Sequence, residues 1–241
     1  MRRWLGLWWV LGVQTWVLAT GCSPAPTSTP TPTPLPLVDP AAVLQRAVAQ
    51  VLALKSVAFT LEHQIGTTML FPGLEMSKAS GVVDIPEKFS LKVEAELEFP
   101  RSYVEINIVT IGDQAYMTDF VTGQWREVPL DALPVSLGGL GRTLADIIEA
   151  VEAPQLAGAE QLRGRDAWRV TGRVRSQDLA GLVPGAAEDL EVALELWLDQ
   201  GDGLLLQALI TGPVLPTDVP EAVRLLVLDQ FNVPVNITPP E

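Results

Sequence analysis

The chain has 241 residues, with 16 lysines and arginines against 29 aspartates and glutamates, giving a formal net charge of −13 at pH 7. Nucleic-acid-binding proteins need clustered positive charge to displace counterions, so this acidic balance argues against that class. One cysteine excludes an intramolecular disulfide, and one histidine excludes a histidine-rich metal site. We predict neither a metal nor a cofactor.

The N-terminal 21 residues have the pattern of an export signal. Arg2 and Arg3 precede an apolar run over residues 4–19, which is the order found in secretory signal peptides. The run ends in small residues directly before Cys22, and this ending resembles a bacterial lipobox. We therefore predict a signal peptide over residues 1–21 and attachment of acyl chains such as palmitate at Cys22.

Two other interpretations of this segment stay open. The first is an uncleaved transmembrane anchor, because the apolar run is only just shorter than a membrane span. The second is an ordinary signal peptide in which the cysteine falls by chance. If the lipoprotein interpretation holds, the protein is exported and anchored by lipid to the outer face of the cytoplasmic membrane, because two or three acyl chains bind firmly.

Within residues 22–38, the stretch 23–36 alternates proline with threonine and serine. Such a segment has too few apolar groups to bury and adopts extended conformations, so we predict a tether. Asp39 and Pro40 suit the N-cap and the first position of a helix, and apolar residues then recur at helical spacing to about Leu54. The sequence predicts a single folded domain over residues 39–241.

Beyond this helix the apolar period changes to two, which is typical of half-buried strands. A second helix is predicted at 143–151 and a short one after Ser176. The predicted strands cover residues 56–65, 78–85, 89–98, 104–108, 114–118, 125–128, 155–163, 167–175, 190–199, 204–211 and 223–229. This order predicts an α+β fold, a curved antiparallel β-sheet (half-barrel) with helices packed on its concave face.

The sequence lacks the motifs of the common enzyme classes. It has no glycine-rich phosphate loop, no serine nucleophile elbow and no paired histidine ligands. His63 alternates with apolar residues in a strand and is interpreted as structural. The incomplete spacing of Asp199 and Asp202 argues against a calcium loop. We predict that the protein is not an enzyme.

The order of features resembles the LppX/LprAFG family of envelope lipoproteins over approximately residues 38–240. The resemblance rests on these segments: residues 53–56 followed by Phe59, then residues 81–86, 111–117, 123–125, 194–199 and 231–237. It implies a fold similar to that of the lipoprotein carriers LolA and LolB. It also implies a cavity between sheet and helices that binds lipids or acylated glycolipids.

Carried to this chain, the resemblance implies a cavity lined by apolar strand and helix residues. These are Leu91, Val93, Leu97, Ile106, Ile108, Leu144, Ile147 and Ile148. The alternative that these side chains form a filled core stays open.

The leading functional hypothesis is a membrane-anchored carrier that assists lipid transfer within the envelope, with a possible partner protein in the transport step. A different hypothesis is a non-carrier sensor or adaptor that uses the same fold to dock a protein. That alternative predicts a filled core and an exposed apolar patch. A solute-binding subunit of an importer is disfavoured because the chain lacks the alternating βα units of such proteins.

Overall fold

The computed structural model describes residues 38–133, 137 and 139–240. Helix α1 spans Pro40–Leu52 and helix α2 spans Leu140–Glu149. The strands in the described residues are β1 Ser56–Ile65, β2 Thr68–Phe71, β3 Leu74–Asp84, β4 Lys88–Leu97, β5 Ser102–Ile111, β6 Gln114–Thr118, β7 Trp125–Val128, β8 Glu152–Leu162, β9 Arg165–Arg175, β10 Glu191–Asp199, β11 Leu205–Thr211 and β12 Val223–Asp229. Short 3-10 helices cover Leu130–Ala132 and Ser176–Leu179. The predicted signal peptide, Cys22 and the tether up to residue 37 lie outside the described residues.

Helix α1 begins where the sequence predicts. The Asp39 carboxylate accepts a hydrogen bond from the Ala41 amide at 3.0 Å, and Pro40 occupies the first turn. Both features stabilise a helix N-terminus, because that end leaves backbone amides without partners. The helix buries Leu44, Ala47 and Val51. Among the described residues, no helix has the length and apolar character needed to span a membrane.

The strands form one antiparallel sheet in the order β7-β6-β5-β4-β3-β1-β12-β11-β10-β9-β8, with β2 paired to β3. Strand β1 therefore joins two meanders, because it pairs with β3 on one side and with the last strand, β12, on the other. At this junction Phe59 lies opposite Leu228 and also opposite Gly81. The sheet is open and curved. The predicted fold class is confirmed.

One face of the sheet is apolar and carries the helices. In β4, Phe89, Leu91, Val93 and Ala95 are buried, whereas the side chains between them are wholly or partly exposed. The buried side chains of both helices belong to the same core as this sheet face. Fully burying one leucine or isoleucine stabilises the fold by about 1.5–3 kcal/mol, so this shared core holds the helices on the sheet.

Several details differ from the sequence prediction: for example, β5 spans Ser102–Ile111 rather than 104–108, and β8 begins at Glu152 rather than at residue 155. Strand β2 was not expected, and β3 begins four residues earlier than predicted because a bulge between Met76 and Lys78 interrupts its alternation. Helix α2 begins at Leu140 rather than at residue 143 and ends two residues earlier. Glycine disfavours helix interiors, but here Gly141 lets α2 approach α1 closely, since a Cβ at this position would lie 2.6 Å from the Val51 carbonyl oxygen.

Replacing Gly141 with alanine is expected to push the helices apart and to lower the free energy of unfolding by about 1–3 kcal/mol. Urea denaturation measures this change. The matched control is Gly158→Ala in β8, where an added Cβ would meet no atom within 4 Å. Equal effects of the two substitutions would contradict the packing argument.

Candidate functional site

A cavity lies between the sheet and the segments that cover its apolar face. Strands β1, β3, β4, β11 and β12 supply one wall, and β2, the start of α2 and the segment after the second 3-10 helix supply the rest. Its lining side chains are all apolar: Phe59, Leu61, Leu70, Met76, Ala79, Leu91, Val93, Leu137, Leu140, Leu182, Val183, Ile210, Leu226 and Leu228. The chemistry of this wall suits a hydrocarbon and offers no polar side chain to a substrate.

The cavity is narrow. Its free space is about 680 Å³ when the part open to solvent is included, yet only about 50 Å³ can hold the centre of a water molecule. A smaller space of about 290 Å³ adjoins it and shares the side chains of Leu182, Ile210 and Leu226. These two neighbouring spaces together are called the slit.

Strand β3 carries two small residues beside large apolar side chains of its neighbours. Ala79 lies between Leu61 and Val93 on the neighbouring strands, and Gly81 has the same position between two large apolar side chains. A Cβ at Gly81 would collide with the Ser90 carbonyl oxygen and lie 3.1 Å from the Leu91 Cα atom. Gly81 therefore allows the close approach of β3 to β4, whereas Ala79 is a small residue on the cavity wall itself.

The predicted lining residues fall into three groups. Two of them, Leu91 and Val93, lie on the wall of the larger cavity. The predicted helix residues line the smaller space: Leu144, Ile147 and Ile148. The remaining three lie on the same apolar face but on the wall of neither space: Leu97, Ile106 and Ile108. Whether any of them contacts a ligand stays a prediction.

Sequence reasoning missed most of the cavity wall, since only two of its fourteen lining residues were among the predicted ones. Phe59 and Leu61 were already placed on one face of β1, so their alternation was a usable signal. Leu182 and Val183 follow a short 3-10 helix in an irregular segment, where no period indicates which side chain points inward.

A buried polar cluster occupies the same sheet face. Arg224 and Asp218 are 0% and 1% exposed, and their Nη2 and Oδ2 atoms lie 2.6 Å apart. Asp218 Oδ2 also accepts the backbone amides of Val214 and Leu215 at 2.8 and 2.9 Å. The Arg224 Nε atom donates to His63 Nε2 at 3.1 Å. The cluster fastens the loop between β11 and β12 to the sheet.

His63 is held as a neutral imidazole in this cluster. Its Nδ1 lies 3.0 Å from the Ser77 carbonyl oxygen, which can only accept, so Nδ1 carries the proton. The Nε2 atom is then free to accept from Arg224. These contacts agree with the structural role expected for this histidine.

Burial lowers the pKa of His63, and the Arg224 charge acts in the same direction against the opposing effects of the Ser77 hydrogen bond and the Asp218 charge. As the pH falls below about 6.5, His63 is therefore protonated in the unfolded chain before it is protonated in the folded protein. The free energy of unfolding should then decrease. Urea denaturation at pH 7.5 and 5.5 measures this loss. In His63→Gln the loss should be smaller, and an unchanged pH dependence in that variant would refute the assignment.

The acidic residues of the β10–β11 turn form hydrogen bonds and ion pairs within the chain. Asp199 Oδ1 accepts the amides of Gly201 and Asp202 at 2.7 and 2.8 Å, and Arg165 pairs with the carboxylates of Asp199 and Asp202. Burial acts to raise the pKa of Asp199, but these hydrogen bonds outweigh it and lower that pKa. In the described residues, no group of three or more acidic, histidine or cysteine side chains could hold a metal.

Large apolar side chains are exposed where the β2–β3 and β4–β5 turns meet. The Glu98 amide donates to the Gly73 carbonyl at 2.8 Å, which places these turns side by side. Met69 and Phe71 in β2 are 39% and 44% exposed, and Phe99 in the neighbouring turn is 90% exposed. Leu70, between the first two, lines the cavity. The exposed apolar end therefore adjoins the cavity wall.

Solved structures with the same architecture are known. LprF from Mycobacterium bovis aligns with 83% of this chain and 95% of its own at 16% identity and a TM-score of 0.63. The Mycobacterium tuberculosis lipoprotein LppX aligns with 83% of this chain and 100% of its own at 20% identity and a TM-score of 0.57. At these identities the likeness shows the fold alone. No curated protein matches the chain in sequence.

The family model described as LppX_LprAFG lipoprotein matches residues 39–213. The match begins at the N-cap of α1 and extends just past the end of β11, so it includes both helices and eleven of the strands described above. It covers well over half of the sequence. The chain therefore belongs to the LppX_LprAFG lipoprotein family.

Proposed function

We propose that this protein is a membrane-anchored carrier that binds the acyl chains of a lipid or acylated glycolipid in the cavity. It would assist transfer of that lipid within the cell envelope, from an anchor at the outer face of the cytoplasmic membrane. The observation that carries the proposal is a cavity lined entirely by apolar side chains in a lipoprotein fold. The proposal assigns no catalytic activity to the chain.

Simple transfer energies support acyl binding at such a wall. Burying one methylene group contributes about 0.8 kcal/mol, so a 16-carbon chain would gain roughly 12 kcal/mol before the costs of ordering and reorganisation. The cavity volume of about 50 Å³ is far below that of small-molecule pockets, so acyl binding requires the wall to open. Few polar contacts are then needed to retain a lipid.

The narrowness of the cavity sets a condition on this function. Because little of the space admits even a water molecule, an acyl chain must move the leucine side chains of the wall apart. Leu61, Leu70 and Leu182 are only half-buried, so they can move at lower cost than the core side chains around them. The exposed end formed by Met69, Phe71 and Phe99 lies beside Leu70 and offers an apolar entry from a membrane.

The same two features favour a second candidate, an adaptor that docks a protein on its apolar end and keeps its core filled. Native mass spectrometry of the full-length protein, extracted from its own membranes in mild detergent, separates the two. A carrier should retain an acyl-bearing molecule that is released on denaturation. If the native and denatured masses agree in repeated preparations, the carrier proposal fails and the adaptor is favoured.

Anchoring is tested separately by Cys22→Ser. If Cys22 carries the lipid, the variant should leave the membrane fraction in detergent-free extracts, whereas the neighbouring Ser23→Ala control should stay in it. Cell fractionation followed by immunoblotting measures the distribution. Retention of the Cys22→Ser variant in the membrane would instead support an uncleaved transmembrane anchor.

A further inference from the structure

A groove crosses the face of the sheet opposite the cavity. It passes over β12, β1, β3, β4 and β5, from Asp229 at one end to Asn107 at the other. Four spacings between neighbouring strands, at about 4.8 Å each, make this path about 19 Å long. The groove is open to solvent and has a volume of about 440 Å³. It therefore has the size of a small-molecule site without any movement of its wall.

Small side chains form the bottom of this groove. Thr60 of β1 lies opposite Ser80 of β3, and in the next row of the sheet Val82 lies between Ala58 and Ser90. All five are half-buried and line the groove, and we call them the groove floor. Since none of them has a side chain longer than that of valine, these two rows stand lower than the rows around them.

Longer, charged side chains border the groove on both sides. The adjoining row of the sheet carries four of them: Glu62, Lys78, Glu94 and Glu105. In the row on the other side, Asp84 and Lys88 lie opposite each other and form an ion pair at 3.9 Å. The groove therefore owes its depth to the contrast between the groove floor and these two charged rows.

One carboxylate holds the polar groups at the β5 end of the groove. Glu105 Oε2 lies 2.6 Å from Lys92 Nζ, and Glu105 Oε1 accepts a hydrogen bond from Asn107 Nδ2 at 3.5 Å. The hydrogen bond with Glu105 raises the pKa of Lys92. Among the residues that line the groove, all of which the structure describes, Lys92 is the only cation. Its charge is thus already balanced within the protein, whereas Asp229 at the other end is exposed and negative.

These groups favour a neutral ligand that is rich in hydroxyl groups. The hydroxyl groups of Thr60, Ser80 and Ser90 can each donate and accept a hydrogen bond, and the Asn107 amide can do both as well. An anion would meet Asp229 and a lysine that is already paired. A peptide would find no free strand edge, since all five strands are paired on both sides, and no apolar pocket for an anchoring side chain.

We propose that this groove binds a neutral oligosaccharide chain that lies across the five strands. Its hydroxyl groups would bond to the groove floor and to the side chains of Lys92 and Asn107 at the β5 end. The sheet separates the groove from the cavity, so the site goes beyond the carrier function and does not depend on it.

The test measures oligosaccharide binding to the full-length protein by isothermal titration calorimetry, in a detergent that has no sugar group. Three neutral probes are used, maltohexaose, mannohexaose and chitohexaose, together with the anionic hexagalacturonate. At least one neutral probe should bind. Hexagalacturonate should bind about tenfold more weakly than the best neutral probe, because its carboxylates meet Asp229 and the charged rows.

Two variants locate the binding site. Ser80→Phe places a ring on the groove floor and should lower the affinity for the neutral probe by about tenfold or more. Asn107→Ala removes one amide without adding bulk, and it should weaken binding about fivefold. The matched control is Ala79→Phe, which adds the same ring on the cavity side of β3 and should leave oligosaccharide binding unchanged. Thermal unfolding checks that each variant is folded.

The outcomes decide the proposal separately from the carrier function. If none of the neutral probes binds at about 10 mM, or if the folded Ser80→Phe and Asn107→Ala variants bind as well as the wild-type protein, the groove is not an oligosaccharide site. Tighter binding of hexagalacturonate would overturn the neutral ligand class. None of these results changes the lipid retained in the cavity, which native mass spectrometry measures independently.

Discussion

Replacing Asp218 with alanine should lower the free energy of unfolding by about 3–5 kcal/mol, the largest stability change that we expect from a single substitution in this domain. Arg224 would keep its charge in a fully buried position without a counter-ion. The amides of Val214 and Leu215 would lose their acceptor as well. Urea denaturation monitored by tryptophan fluorescence measures the change.

Two controls identify the source of this loss. Removing both charges with Asp218→Leu and Arg224→Met should recover much of the stability, because an apolar pair can replace a buried ion pair. Glu105→Gln removes the partner of Lys92 from an exposed pair, and it should change the free energy of unfolding by no more than about 1 kcal/mol. A small effect of Asp218→Ala alone would mean that the Arg224 charge reaches water.

The largest functional effect is expected from filling the cavity. Ala79→Phe places a ring between Leu61 and Val93, on the floor of the slit. Occupancy by acyl lipid should fall at least tenfold, and the ring should cost about 1–3 kcal/mol of stability because it must move the wall side chains apart. Native mass spectrometry measures occupancy, and urea denaturation measures stability.

The matched control is Ser80→Phe, one residue along the same strand. Ser80 lies beside a polar groove on the opposite face of β3, so its replacement adds the same ring outside the cavity. Lipid occupancy should be unchanged in this variant. Loss of lipid in both variants, or in neither, would show that lipid binding does not depend on the space beside Ala79.

The sequence predicted regular elements well because their signals are local. The N-cap and proline at residues 39 and 40 define the start of α1, and the predicted bounds of β6, β7 and β12 agree with the structure to the residue. The β2 hairpin was missed because its exposed Met69 and Phe71 break the polar-apolar alternation that marks a strand with one solvated face.

The site was harder to predict than the fold. The spacing of apolar residues shows which face of a strand a side chain occupies, but it does not show how far apart side chains lie across the core. It therefore could not separate Leu91, on the cavity wall, from Ile108, in filled core on the same face. Arg224 had a usable signal, since it occupies an inward position in the otherwise apolar strand β12. Its partner Asp218 lies in a loop and could be identified only from the folded structure.

The pairing of β1 with β12 has a consequence for the order of folding. These neighbours in the sheet are separated by nearly the whole domain, since Ala58 lies opposite Asp229. Each meander consists of local hairpins, but the two meanders can pair only when the last strand, β12, reaches β1. Closing the long loop between these two strands is slow. A chain translocated N-terminus first would therefore complete its central pairing only after almost all of it had crossed, with the apolar face of β1 exposed to chaperones until then.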